Sequence, residues 1–343
     1  LEAEKLAAGA FGADRSFFLV NGSTSGIYSM LMSALSPGSS MIIPRNCHKS
    51  VWGAMILGDI RPVYIEAVYR SEQNIATQVS PFAVQTALRK NPNVKGIILV
   101  HPNYYGMCCH MDKIEKMIHE NGKILLVDEA HGAHFNFHPD LPPSSGAIGA
   151  DAWVQSAHKT LPAFTQSAFL HTKGSRMDID RLQDLLRLNQ STSPSYMLMA
   201  SLDYARNFME TQGREKISTL IEKVESIKKY ITKNTGLKIL DTHKWDEVRW
   251  SDKTRLVIDV TPLGITGYDA EIRLRKAGVQ AEMSDHDRVV FICTVCDDDT
   301  TLGRLRNACL SLWNDTKVNN KKETEKPFIH SFNIPKQILS PRE

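Results

Sequence analysis

The chain is predicted to adopt an α/β fold: a mostly parallel seven-stranded sheet flanked by helices, followed by a smaller α+β domain. Three observations predict it. Short apolar runs alternate with helix-like stretches over the first 170 or so of 343 residues. That alternation gives a mainly parallel sheet with helices on both faces. The residues with chemical potential fall at the ends of the apolar runs, where ligands gather in such sheets. After residue 178 the pattern becomes helical with few breakers, and a second mixture of strands and helices follows over 236–312.

The strand candidates are 17–20, 41–44, 62–65, 96–100, 123–128, 152–155 and 168–171. Helix-like stretches at 24–35, 51–57, 81–89 and 111–120 fall between several of them. The third begins after Ser80 with Pro81 in its first turn, a sound N-cap and start. Ser193-Pro194-Ser195 separates two helical stretches in 178–233. A long helix there suits a link from a large domain to a small one. The small unit is expected to contain strands near 238–240, 255–260 and 289–294, with helices near 268–276 and 300–313. We divide the chain into a large domain (1–212), a small domain (213–314) and a polar linker (315–343). No internal repeat is visible.

Length allows a sizeable core. A hydrophobic fraction of 42% and a charged fraction of 23% are those of a soluble globular protein. The 41 basic and 38 acidic side chains leave a net charge of +3, which gives no reason to invoke nucleic acid or an anionic membrane. No apolar run is long enough to span a bilayer, and no signal peptide is seen. The six cysteines are too few and scattered for a disulfide framework, which points to a reducing, cytoplasmic setting. Cys293 and Cys296 have CxxC spacing but are expected to be buried structural thiols.

Lys159 ends the run Asp151-Ala-Trp-Val-Gln-Ser156-Ala-His158-Lys159, a strand closing in a small-polar, His, Lys cluster. Upstream, another strand ends in Asp128-Glu129-Ala130-His131-Gly132. A lysine at one strand end and a carboxylate at another are what pyridoxal phosphate needs: an amine for its aldehyde and an acid to keep its ring nitrogen protonated. A carboxylate closing an apolar strand is expensive without a cation or donors. Asn21-Gly22-Ser23-Thr24-Ser25-Gly26 follows a strand and opens a helix. Alone it reads as an N-cap with turn glycines, but its position after the first strand suits phosphate. His48, in Arg45-Asn-Cys-His-Lys-Ser50, could stack on a planar cofactor, although a loop histidine is the plainer reading. Asp128, His131, His134 and His138 have a metal-like spacing, but it is looser than the helical i, i+4 pattern and lacks a second carboxylate cluster. No metal is expected.

Taken together, these residues resemble the major domain of the ornithine/lysine/arginine decarboxylase family, a fold type I (aminotransferase-like) pyridoxal phosphate group. The matching pieces are Phe18-Leu-Val-Asn-Gly-Ser-Thr-Ser-Gly26, Pro44-Arg-Asn-Cys-His-Lys-Ser50, His101-Pro-Asn-Tyr-Tyr-Gly106, Asp128-Glu-Ala-His-Gly132 and Ser156-Ala-His-Lys-Thr-Leu-Pro162. Ser191-Thr-Ser-Pro-Ser-Tyr196 and Gly278-Val-Gln-Ala-Glu-Met-Ser284 also fit. The resemblance covers nearly the whole chain to Trp313. It implies that Lys159 holds the cofactor covalently and Asp128 pairs with its ring nitrogen. His48 would stack on one ring face, with Ala130 against the other. Gly22, Ser23, Thr24, Ser156 and His158 would surround the phosphate. His131 would support the ring, at a position where some larger members have Trp. Glu282 would meet the distal cation of a basic amino acid, and Thr192 would line the same pocket. The implied activity is decarboxylation of arginine, lysine or ornithine, in polyamine-type metabolism, by a homodimer or larger homo-oligomer. Family members carry a segment before the equivalent of Leu1 and a further C-terminal domain. Two rival readings are another reaction on the same fold (an aminotransferase or desulfurase-like lyase) and a homologue without catalysis.

Overall fold

The computed structural model describes residues 1–242, 244–317 and 337–343. Of the expected linker, 318–336 lie outside the described residues. All seven predicted strands form one sheet. They are β1 (Arg15–Leu19), β2 (Ser40–Pro44), β3 (Arg61–Ile65), β4 (Gly96–Val100), β5 (Ile124–Asp128), β6 (Ala152–Gln155) and β7 (Ala168–Thr172). The spatial order is β1-β7-β6-β5-β4-β2-β3. Strands β6 through β3 pair in parallel. β7 runs antiparallel to both neighbours. The protein therefore has a mostly parallel α/β sheet.

Both faces of the sheet are dry, which is why its strands read as continuous apolar runs. Successive side chains alternate between faces. Ile43, Ile98, Leu126 and Val154 point into one core. Their neighbours Ile42, Ile97, Leu125 and Trp153 point into the other. The first core is closed by α2 (Gly22–Ala34), α3 (Lys49–Gly58) and α8 (Ile179–Asn189), through Ile27, Met30, Val51, Met55 and Leu182. The second is closed by α4 (Pro81–Lys90) and α5 (Met111–Glu120), through Val84, Leu88, Ile114 and Ile118. α2 sits close to the sheet because Gly26 has no side chain. A Cβ there would fall 2.6 Å from Leu19 and 3.0 Å from Val154.

α9 (Tyr196–Asn234) is one helix of 39 residues. Its first half packs Leu202, Ala205 and Met209 against Phe11, Phe18 and Phe169. Its second half packs Leu220, Val224, Ile227 and Ile231 into a separate core. That core lies on an antiparallel sheet of β8 (Lys238–Ile239), β9 (Arg255–Asp259), β10 (Met283–Ser284) and β11 (Arg288–Ile292), in the order β8-β9-β11-β10. Two further helices, α10 (Gly267–Lys276) and α11 (Asp299–Lys317), complete it. β10 has no counterpart among the predicted strands; it is two residues long and pairs only with β11. Residue 212, the expected end of the large domain, falls inside α9.

The cysteine expectation is half corrected. Cys293 is buried, but Cys296 is exposed. β11 ends at Ile292, so Cys296 lies in a turn that Asp297 closes by accepting from the Thr294 N–H at 2.7 Å. Burial and Asp297 raise its thiol, the opposite of an activated nucleophile. Among the described residues, no helix is long and apolar enough to cross a membrane.

Candidate active site

The carboxyl ends of the parallel strands meet along one edge of the sheet, and register decides which residues meet there. β5 and β6 pair with Asp128 opposite Val154, so the chain turns out of β6 into Ser156 beside Asp128. Across β7, Phe169 lies opposite both Gln155 and Phe18. The turn after β1 thus reaches the turn after β6, and Ser156 Oγ donates to Ser23 Oγ at 2.9 Å. Gly22 begins α2 at φ 72°, a left-handed conformation that suits glycine. Its N–H donates to the Gln166 carbonyl at 2.9 Å. Thr24 is exposed on the same first turn.

Lys159 and His158 sit on α7 (Ala157–Thr160), a single turn after Ser156. The Lys159 amine donates to His131 Nε2 at 3.0 Å and lies 5.8 Å from the centre of the Tyr104 ring. Burial lowers Lys159, Asp128 and Glu282 pull it back up, and Arg255 lowers it further. His131 is held well below its ordinary value by burial, then by Arg255 and Lys159. A neutral His131 is what lets Nε2 accept. His158 is lowered by burial and by Lys159.

Asp128 is buried at the end of β5. It accepts the Ala130 N–H at 3.1 Å. Burial raises its carboxyl, while that hydrogen bond, His48 and Lys159 partly offset the rise. His48 caps α3, where its Nδ1 takes the Ser50 N–H at 3.3 Å and meets Ser50 Oγ at 2.9 Å, fixing the ring. Burial lowers His48, Asp128 raises it, and Lys159 and Lys49 lower it. Electrostatics thus ties Asp128, His48 and Lys159 into one cluster.

Glu282 belongs to this neighbourhood through its charge. Although exposed, it acts on both Lys159 and the Tyr104 phenol, which burial and then Glu282 raise. Thr192 is exposed in the loop between α8 and α9, and makes none of the hydrogen bonds that join this cluster. The metal-like histidines are spent separately. His131 meets Lys159, His134 Nε2 meets Asp252 at 3.3 Å, and His138 meets Ser218 at 2.8 Å. Among the described residues, no group of His, Cys, Asp and Glu is placed to hold a metal ion. Two residues at the site escaped the sequence reading. Tyr104 lay inside the quoted His101–Gly106 motif without a role. Arg255 looked like an ordinary arginine opening a strand.

A model of the Orn/Lys/Arg decarboxylase major domain matches residues 1–301. The chain belongs to this family. It is 36% identical over 348 residues to an arginine decarboxylase of Halalkalibacterium halodurans, across 100% of this chain and 70% of that protein. It is 28% identical over 289 residues to the inducible lysine decarboxylase of Escherichia coli K12, across 79% of this chain and 40% of that one. Lysine decarboxylase A from Pseudomonas aeruginosa superposes with a TM-score of 0.81 at 22% identity, over 93% of this chain and 51% of that structure. The chain thus spans about half the length of that solved decarboxylase. This decarboxylase-family chain has the fold type I scaffold expected from its sequence.

Proposed function

We propose that this protein is a pyridoxal phosphate-dependent decarboxylase of a basic amino acid, arginine first among arginine, lysine and ornithine. The observation that carries the proposal is the partly buried Lys159 amine, lowered by its surroundings and lying in the field of Asp128. A carbonyl-reactive lysine needs an unprotonated amine, and desolvation beside another cation favours that form. The preference for arginine rests on family membership and on the name of the 36% identical relative.

The residues present fit the cofactor. The Ser23 and Ser156 hydroxyls converge at the first turn of α2, a 13-residue helix. Helix N-termini attract phosphate. Ser23, Thr24, Ser156 and His158 would hold the phosphate, with Gly22 shaping the turn. Asp128 is raised because burial outweighs its partners. A protonated ring nitrogen is the cation that would favour its carboxylate form. His48, locked by Ser50, would lie on one ring face, with Ala130 on the other. When bound, pyridoxal phosphate supplies an aldehyde for the amine and a ring that accepts the electrons released with CO2. The protein's own residues orient and exclude water. His131 takes Lys159's proton-bearing amine at Nε2, which keeps it within reach when it is not bonded. Glu282 meets the substrate's distal cation, and Thr192 lines that end of the pocket. The protein acts as a homodimer in this reading. Trp52, Ile56 and Leu57 leave an exposed apolar stripe on α3, one turn beyond His48.

The test uses the full-length protein with added pyridoxal phosphate. Borohydride should bleach the cofactor's visible absorbance and fix it on Lys159. Arginine, lysine and ornithine are then assayed for CO2 and amine. Lys159→Ala should lose both the fixation and the turnover. Full turnover by that variant, or amine transfer to a keto acid without CO2, would defeat the proposal.

A further inference from the structure

A groove of about 870 Å³ runs between the stretches 135–147 and 248–253, with Arg214 of α9 beside it. None of Ser23, His48, Asp128, Ser156 and Lys159 lines it. Its apolar lining includes Phe137, Leu141, Pro142, Val248 and Trp250. Backbone bonds hold both walls. On one, the Pro143 carbonyl accepts from His101 Nε2 at 3.0 Å, and the His138 carbonyl takes the Leu141 N–H at 3.2 Å. On the other, Trp250 and Ser251 pair with Cys108 and Met107, and the Arg249 N–H donates to the Cys108 carbonyl at 2.8 Å.

Charge in the groove is one-sided. Arg214, Arg249 and Lys253 line it, against the single carboxylate of Asp140. His138 is engaged within its own wall: Nδ1 accepts the Asp140 N–H at 3.1 Å, and Nε2 donates to Ser218 Oγ at 2.8 Å. No carboxylate holds the three cations at hydrogen-bond range. Lys253 is 3.7 Å from Asp140, and Arg249 is 3.9 Å from Asp112, which lies outside the groove. Among the described residues, the Arg214 side chain has no hydrogen-bond or ion-pair partner. The Arg249 guanidinium lies 5.4 Å from the centre of the Trp250 ring. Stacking of this kind leaves the N–H groups at the edge of the guanidinium open. Exposed cations alone are ordinary, since water serves them well. Here three of them border an apolar cleft whose walls are already ordered, so little freedom is lost on binding. The planar arginine fork matches the oxygens of a carboxylate or a phosphate. We propose that this groove binds a small organic dianion built on a flat ring, with the ring against the apolar lining and the charge among Arg214, Arg249 and Lys253. The proposal stands apart from the decarboxylase reading.

The test titrates the full-length protein by calorimetry with terephthalate and with phenyl phosphate, which carry the charge as carboxylates or as phosphate. Terephthalamide keeps the ring without the charge, and sulfate keeps the charge without the ring. At least one of the two aromatic dianions should bind more tightly than both controls, with an affinity that falls as salt is raised. The tighter of the two identifies the group recognised. Arg214 is exposed, so Arg214→Gln should fold. It should weaken that dianion by roughly 5-fold, and Arg214→Lys should recover most of the loss. Adding Lys253→Gln to Arg214→Gln should weaken it by a similar factor again. Failure of both dianions to bind overturns the proposal. Sulfate binding as tightly as they do also overturns it, because it marks an adventitious ion only. Equal binding of terephthalamide overturns it by showing an apolar cleft indifferent to charge. Unchanged affinity in the double variant does the same. Weakening by Ser23→Ala in place of Arg214→Gln would put the anion at the first turn of α2 and not in the groove.

Discussion

Asp128 and Glu129 are adjacent acids with opposite placements, because successive residues leaving a strand face opposite ways. Asp128 turns to the cluster of His48 and Lys159. Glu129 turns behind the sheet. It accepts the Ser145 N–H at 3.2 Å and the Gln155 amide at 3.3 Å. Burial pushes Glu129 from 4.5 up to about 8. Between those values the folded protein holds a proton that the unfolded chain has lost. Raising the pH through that window therefore lowers stability, and above the folded value the loss levels off. The loss is on the order of a few kcal/mol. Glu129→Gln keeps the shape and the acceptor oxygen without the titration. Urea midpoints at about pH 5 and about pH 9 should fall further for the wild type than for the variant. Parallel falls would show that Glu129 is not the group responsible. At this scale the sequence was partly legible. Lys159, Asp128 and His48 stood in motifs at strand ends. Arg255 did not, because nothing local in Asp252-Lys-Thr-Arg-Leu marks an arginine whose burial comes from Gly106, some 150 residues earlier.

The elements were legible because their burial is simple. A strand covered on both faces is apolar throughout, and all seven such runs entered the main sheet. The helix behind the first strand starts earlier than its apolar pattern, at Gly22 rather than residue 24. Its first turn is polar because it faces the site. The small-domain strand Met283–Ser284 was not legible, since it exists only by pairing with β11. α2 also shows how packing sets chemistry. Gly26 seats it against Leu19 and Val154, and the seated helix brings Ser23 to Ser156. Gly26→Ala puts a methyl group where there is no room. The cost should be about 1–3 kcal/mol, as for other overpacked cores. If the helix lifts to relieve the contact, Ser23 moves off Ser156 and pyridoxal phosphate affinity falls with stability. Urea unfolding and cofactor titration of one preparation read both effects. Unchanged stability would mean that Leu19 and Val154 yield freely, and that the close seat is not what places Ser23.

At the scale of the whole molecule, the candidate site draws on residues beside both cores, and one hydrogen bond joins the two sides close to it. The Tyr105 hydroxyl donates to Asp285 Oδ2 at 2.6 Å. Asp285 Oδ1 also takes the N–H groups of Asp287 and Arg288, each at 2.7 Å, so it shapes the hairpin between β10 and β11. Glu282 begins that hairpin, its N–H bonded to the Val290 carbonyl at 2.9 Å. Tyr104, next to Tyr105, lies over Lys159. One hydrogen bond thus connects the loop that covers the lysine to the hairpin that carries the proposed distal-cation residue. Tyr105→Phe removes the hydroxyl and keeps the ring. Asp285 retains Arg288, 3.3 Å away, so the fold should lose only about 1 kcal/mol. The effect on function should be uneven. A looser hairpin places Glu282 less often against the substrate's far end, so KM for arginine should rise several-fold. The lysine, Asp128 and His48 stand at the carboxyl edge of the main sheet, away from the hairpin, so borohydride fixation and kcat should stay near the wild type. The measurement is a KM-against-kcat comparison on the cofactor-loaded protein with a urea curve alongside. A fall in kcat with KM unchanged would mean that the bond acts through Tyr104 on Lys159, and that the hairpin holds its position without it.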